Sequence, residues 1–541
     1  MKRVISMLLV LTMVLGLFTA CGKKETTSDS DAMGEKVTLS LGIPQSSNVT
    51  DYENNALTRY LEESLNINIE FVYFASSAAD NVQQLALMAS GNEEFPDVLL
   101  GFDLDHYTIK EYGQDGYFMD LTDLIDKHGK YYKEQYDKLD KEMQELIQDK
   151  GTDDVTGGFY GMPTTCITLP DNLQSMMYIN HEWLKAVGKE MPTTIDELYD
   201  VLKAFKTQDP NKNGQDDEIP LLAKAGNDRD ISCYFINAFT YYDSYNPFNS
   251  NDGKVWSAMS SDEYRQSLIY MNKLCKEELL SDMCYTLAAK SEFVTLITPA
   301  DNVAKVGVWC GHPAVWTDAR TEILNQYSAM PLLEDVTGKG GYTVVRPNAL
   351  QWTGYITKDC ENTEAAMKLL DFFYKDETVT RARHGEKDVD WVEEPGKSEL
   401  GGDTSIKVLN ANAFFTGNST WCMNGCSFMN EQNYIAVGTD GEGRQAEVSR
   451  LVRESWELVK SAKQPKEIVH SLTYNDEEFA TRDEYAGMHS SYIVEQRGLF
   501  VTGELDPNSD ADWNNYLTNL EKLGHSKLVD VAQSSYSRQS K

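Results

Sequence analysis

The chain has 541 residues, 41% of them hydrophobic, and a formal net charge of −36. A surface this acidic excludes nucleic acid and anionic lipid headgroups as electrostatic partners. Roughly 500 residues remain beyond the N-terminal leader, more than one core comfortably holds, so two or more lobes are expected.

Residues 1–20, MKRVISMLLVLTMVLGLFTA, open with Lys2 and Arg3 and continue as an apolar run to Phe18 before the small Thr19 and Ala20. That is a secretory signal, too short for a comfortable membrane span. Cys21 follows directly, and FTAC resembles a bacterial lipoprotein cleavage site with Phe18 where leucine is commonest. The resemblance implies cleavage before Cys21 and lipid, palmitate included, on that residue. An ordinary signal or an uncleaved anchor is the alternative. Residues 21–36 are small and polar and read as a flexible tether.

Residues 36–44 alternate, with Val37, Leu39, Leu41 and Ile43 on one side, which predicts a strand. Asn54 to Leu65 carries Leu57, Tyr60, Leu61 and Leu65 at helical spacing. Residues 66–74 alternate again, Val82 to Gly91 read as a helix, and PDVLLGF (96–102) as a short buried strand. This order predicts an α/β unit around a largely parallel sheet. Ligands of such sheets bind beyond the carboxyl ends of the strands, here 44–50, 75–80 and 101–105. Helices are expected over about 107–150, then a glycine-rich hairpin-like stretch at 157–165. Residues 192–209 predict a helix opened by a Thr194/Glu197 capping box, with Ile195, Leu198, Leu202 and Phe205 on one face.

DPNKNGQDDEIP (209–220) follows that helix. With Asp209 as position 1, Asn211, Asn213, Gly214 and Gln215 take positions 3, 5, 6 and 7 of a calcium loop. Position 12 is Pro220, so the EF-hand pattern is incomplete, and Glu218 would close the shell early. Asp209, Asn211, Asn213, Gln215, Asp217 and Glu218 are hard oxygen donors that suit a structural Ca²⁺. A metal-free cluster of Asx turns is the alternative. Apart from Cys21, eight cysteines are scattered without a CxxC, which excludes a disulfide scaffold. Cys422 and Cys426 could pair, bind a metal or be buried thiols.

Several stretches together resemble the extracellular solute-binding lipoproteins of carbohydrate ABC importers, particularly their large Gram-positive oligosaccharide branch. They are LMASGNEEFPDVL (87–99), GYFMDLTDLID (116–126), GGFYGMP (157–163), residues 178–221 and residues 499–538. The likeness is weakest over about 380–480. It implies an α/β, two-lobe periplasmic-binding-protein-like fold that closes on a solute between lobes joined by hinge crossings. The expected division is lobe 1 over 37–165 and 350–385, and lobe 2 over 166–349 and 386–541. The implied function is capture of an oligosaccharide outside the cell by a lipid-anchored monomer. The protein would pass its ligand to a membrane permease without chemistry of its own.

Sugars need aromatic faces for their C–H patches and planar polar groups for their hydroxyls. The chain has nine Trp and 29 Tyr. Tyr160, Trp309, Trp316, Trp352 and Trp421 lie in loop-like contexts, and Asp103 follows the buried strand; these are the candidate ligand contacts. Core packing is the alternative for each tryptophan. A surface-anchored glycan hydrolase, a binding protein for peptides or another solute, and an adhesin are the rival readings. No GxSxG, HExxH or phosphate-binding glycine loop supports an enzyme, and the eight histidines are dispersed.

Overall fold

The computed structural model describes residues 36–539, except 92, 103, 167–175, 224–230, 287–289, 317–320, 345–348, 397–403, 411–412, 414–416, 423–424, 430–443, 470–471 and 473. The leader, Cys21, the tether and Asp103 lie outside the described residues. In chain order the strands are β1 (Val37–Pro44), β2 (Ile67–Phe74), β3 (Val98–Leu100), β4 (Met162–Cys166), β5 (Met177–Asn180), β6 (Ile219–Ala223), β7 (Phe248–Asn251), β8 (Lys254–Ser257), β9 (Val306–Cys310), β10 (Tyr327–Ala329), β11 (Ala349–Ile356), β12 (Trp391–Pro395) and β13 (Thr404–Val408).

The strands build two main sheets, β2-β1-β3-β11-β4 and β10-β5-β9-β6, and helices flank both. β1 pairs in parallel with β2 and β3, as the strand–helix alternation predicts. β11 runs antiparallel to both β3 and β4. It enters the first sheet as a return from the second lobe, so its direction is not set by a local βαβ crossover. In β1 Leu39, Leu41 and Ile43 of the expected apolar side are buried and Val37 partly so, and an added Cβ at Gly42 would lie 2.6 Å from Leu99. That glycine lets β1 sit tightly against its neighbour.

Each sheet anchors its own apolar core. Lobe 1 packs β1–β4, β11 and the helix Thr363–Phe372 around Leu41, Val98, Met162, Tyr355 and Leu370. Lobe 2 packs β5, β6, β9 and β10 with the helices Ile195–Thr207, Asp262–Lys276 and Asp476–Thr502 around Leu202, Val308, Met271 and Phe500. The helix expected over 192–209 spans Ile195–Thr207, with Thr194 and Glu197 forming the reciprocal cap and the four expected apolar residues buried.

The expected assignment of 386–541 to lobe 2 is corrected for its first part. Trp421, Cys426 and Phe428 are buried in the lobe 1 core. The backbone there bonds to β4, Thr165 N–H donating to Ser427 O at 2.8 Å and Met429 N–H to Thr165 O at 2.9 Å. Trp421 and residues 425–429 therefore belong with lobe 1. The helices Arg444–Lys460, Asp476–Thr502, Asp510–Lys522 and His525–Gln539 follow. Cys422 and Cys426 are free thiols. No helix among the described residues is long and apolar enough to cross a membrane.

Candidate functional site

A cleft of about 1550 Å³ opens between the lobes. Its floor is β11, through Leu350, Gln351 and Trp352. Lobe 1 contributes Leu104 to His106 and, from the helix Lys141–Gly151, Leu146 and Lys150. The Asp105 carboxylate caps the helix His106–Gln114, accepting from Tyr107 N–H at 2.9 Å and Thr108 N–H at 3.1 Å. This lobe 1 rim thus sits beyond the carboxyl end of β3, where a ligand is expected.

Lobe 2 forms the larger wall. Tyr241 to Phe248 line it without interruption, joined by Tyr285, Tyr474 and the length of Asp476–Thr502 from Arg482 to Thr502. Buried Asn237 holds the turn, accepting from Tyr242 N–H at 3.1 Å and donating to Tyr242 O at 2.9 Å. Asn249 donates to Tyr241 O at 2.8 Å. Asp243 accepts from Tyr245 N–H at 2.9 Å. The result is a fixed turn that leaves the Tyr245 side chain 60% exposed. Sequence reasoning missed Tyr245. The available signal was an aromatic residue inside an Asp/Ser/Asn/Pro turn with no apolar period to bury it.

The structure separates the expected ligand contacts. Trp352 lines the cleft but is only 6% exposed, its ring packed on Phe159 at 5.4 Å. Tyr160 is buried, with its hydroxyl 2.7 Å from Thr156 Oγ1, and does not line the cleft. Three of the tryptophans lie in cores. Trp309 is on β9, an inner strand buried on both faces, and packs its ring tilted against Tyr178 at 4.5 Å. Trp316 is buried in the lobe 2 core. Trp421 donates its Nε1–H to Thr58 Oγ1 at 2.9 Å and meets Phe71 edge-on at 5.4 Å in lobe 1. Their loop-like sequence contexts concealed strand and core packing.

A histidine pair is built into the lobe 2 wall, with His489 among the residues that line the cleft. His489 Nε2 lies 3.0 Å from His525 Nδ1, and His525 Nε2 lies 3.3 Å from Ser260 Oγ. Burial pushes His489 down to about 4, with the neighbouring imidazole adding to the shift. Burial also lowers His525, opposed by Glu521.

The oxygen-rich loop follows the helix Ile195–Thr207 and precedes β6. Asp209 and Gly214 take positive φ, 47° and 72°. Asp209 accepts from Asn213 N–H and Gly214 N–H, both at 3.1 Å. Asn213 Nδ2 donates to Asp217 Oδ1 at 2.9 Å, and Asn211 Nδ2 approaches the same oxygen at 3.4 Å. Lys305 Nζ is 2.9 Å from Asp217 Oδ2 and holds that carboxyl below the usual range. Glu218 Oε1 is buried without a hydrogen-bond partner. No three His, Cys, Asp or Glu side chains gather as a metal shell among the described residues. The loop offers a mix of amide and carboxylate oxygens, with the buried Glu218 Oε1 left without a hydrogen-bond partner. That composition fits a hard cation and no transition metal.

Comparison with known proteins places the chain in a family. Over 385 residues the chain is 27% identical to the fructooligosaccharide ABC transporter substrate-binding protein FusA of Streptococcus pneumoniae, covering 68% of each. Over 285 residues it is 24% identical to the polygalacturonan/rhamnogalacturonan-binding protein YtcQ of Bacillus subtilis, covering 52% of this chain and 51% of that one. The fold matches an EF-hand mutant of S. pneumoniae FusA in complex with fructo-nystose, with a TM-score of 0.69 and 22% identity over 93% of this chain and 99% of that one. Residues 46–380 match the family described as bacterial extracellular solute-binding protein, and the chain belongs to that family.

Proposed function

We propose that this protein captures an oligosaccharide outside the cell and delivers it to an ABC transporter permease, without chemistry of its own. The observation that carries the reading is the cleft of about 1550 Å³ between two separately cored lobes, with the exposed Tyr245 and the half-buried Phe248 and Tyr285 on its wall. Aromatic faces beside fixed amides and carboxylates suit sugar rings, whose C–H patches stack while their hydroxyls bond. A ligand touching both walls favours the closed arrangement through its differential contacts. FusA and YtcQ, both named for glycan ligands, support the same reading.

Two further parts belong to this reading. Cys21 carries lipid and residues 21–36 tether the lobes to the membrane face; a Cys21→Ser protein recovered from the medium instead of the membrane fraction is the expected outcome. The loop 209–218 holds a structural Ca²⁺, with Asp209, Asn211, Asn213, Gln215, Asp217 and Glu218 as the residues that would hold it. When bound, the ion supplies charge that ties the end of Ile195–Thr207 to β6. The buried, unsatisfied Glu218 Oε1 supports this, and the EF-hand named for FusA is consistent with it.

The deciding experiment is a thermal-shift and calorimetric screen of the purified protein against neutral and acidic oligosaccharides and peptides, with mass spectrometry of the added ligand afterwards. Stabilisation by an intact glycan is the expected result. A cleaved glycan, or a response to peptides alone, defeats the proposal.

A further inference from the structure

The charged groups of the cleft are distributed unevenly between free and committed. Three cationic side chains line it: Lys150, Arg482 and Arg497. Lys150 and Arg497 are engaged within the protein, whereas Arg482 is exposed and keeps its charge. Lys150 Nζ pairs with Asp149 at 3.3 Å. Arg482 lies over the Tyr474 ring, 5.7 Å from its centroid. Buried Arg497 donates to Tyr242 Oη at 3.2 Å. The two cleft histidines add no charge near neutral pH, because burial lowers both His106 and His489.

The acids differ. Asp105 and Asp243 accept backbone N–H groups and stay in place as part of the walls. Asp483, Glu495 and Glu504 line the cleft from the end of the molecule that includes Asp476–Thr502, are exposed, and form no ion pair among the described residues. A carboxylate or sulfate on an entering glycan would therefore meet five lining carboxylates, three of them without an ion pair among the described residues, against three cations of which Arg482 alone is exposed. Low-dielectric walls strengthen such repulsion. A sugar hydroxyl, by contrast, donates well to a carboxylate, and charge-assisted bonds are the stronger kind.

We infer that this cleft selects uncharged oligosaccharides and rejects uronate- or sulfate-bearing ones, through the carboxylates Asp483, Glu495 and Glu504 beside the aromatic wall. The inference rests on the oligosaccharide reading above and narrows its ligand class. It distinguishes this chain from a relative named for binding polygalacturonan.

The test compares, by calorimetry at low and moderate salt, neutral fructo-, gluco-, manno- and xylo-oligosaccharides with oligogalacturonides of matched length. At least one neutral series should bind about tenfold tighter than the oligogalacturonides, the scale of one like-charge contact. The gap should narrow with salt. The triple variant Asp483→Asn, Glu495→Gln, Glu504→Gln should bring the ratio of the two affinities toward one. Oligogalacturonides binding as tightly as any neutral glycan would overturn the inference while leaving the oligosaccharide reading intact. An unchanged ratio in the triple variant, with an unaltered melt, would overturn the assignment to these carboxylates. Binding of neither class would remove the oligosaccharide reading itself, and the inference with it.

Discussion

Two aromatic residues show how much depends on where a side chain ends up. Tyr245 projects from a braced turn and is 60% exposed, whereas Trp309 is fully buried on an inner strand. Tyr245→Ala should weaken ligand binding roughly three- to fifteenfold, the worth of one aromatic stacking contact, and leave the melting temperature unchanged. Trp309→Ala should cost about 3–5 kcal/mol of stability through the cavity it opens. Calorimetric titration and thermal melts of both variants separate the two roles; a destabilised Tyr245→Ala would refute the assignment. The buried His489–His525 pair makes a second prediction at this scale. Both folded-state pKa values are depressed, His489 to about 4, so the unfolded chain takes up protons first as pH falls. The pair's contribution is present above the unfolded value near 6.5 and is lost as pH drops through it toward 4. The charged neighbour is Glu521, which favours protonation of His525 and moderates the loss. Melts from pH 7.5 to 4.5 should fall more steeply for the wild type than for His489→Gln; parallel slopes would count against the pair.

Elements carry the site as well as the fold. The helix Lys141–Gly151 ends at a glycine because an added Cβ there would lie 2.2 Å from Phe159 and 2.4 Å from Trp352. Gly151→Ala should therefore push both rings, costing about 1–3 kcal/mol by overpacking and weakening ligand binding from beneath the cleft floor. A variant with wild-type melt and affinity would show that the floor has slack. Other elements were legible from local chemistry: the Thr194/Glu197 box and the spacing of Ile195, Leu198, Leu202 and Phe205 specify a helix, because both signals act within a few residues. The direction of β11 was not legible, because its pairing joins residues far apart in sequence.

At the scale of the molecule, the proposed calcium ion and the two lobes each give a measurable behaviour. Calcium removal by a chelator, verified by elemental analysis, should lower the melting temperature by several degrees, since a ligand bound only to the folded state stabilises it by mass action. An unchanged melt after proven removal would exclude a stabilising metal. Asp217 already pairs with Lys305 across to the start of β9, so part of the loop's charge is balanced within the protein. The chelation effect is accordingly expected to be partial, with the lobes remaining folded around their separate cores.

The sequence by itself determined the α/β class, the family, the strand and helix order of the first lobe and the helix before the oxygen-rich loop. These follow from periodicities and caps that act over a few residues. Only the tertiary structure decided which aromatics face the cleft. Trp309 and Trp421 stand in stretches that read as loops, yet β9 is an inner strand and Thr58 receives the Trp421 indole N–H. It also decided that residues 425–429 join lobe 1, through Thr165, which donates to Ser427 O and accepts from Met429 N–H. Exposure and lobe membership depend on partners hundreds of residues away, and no local pattern encodes which partner arrives.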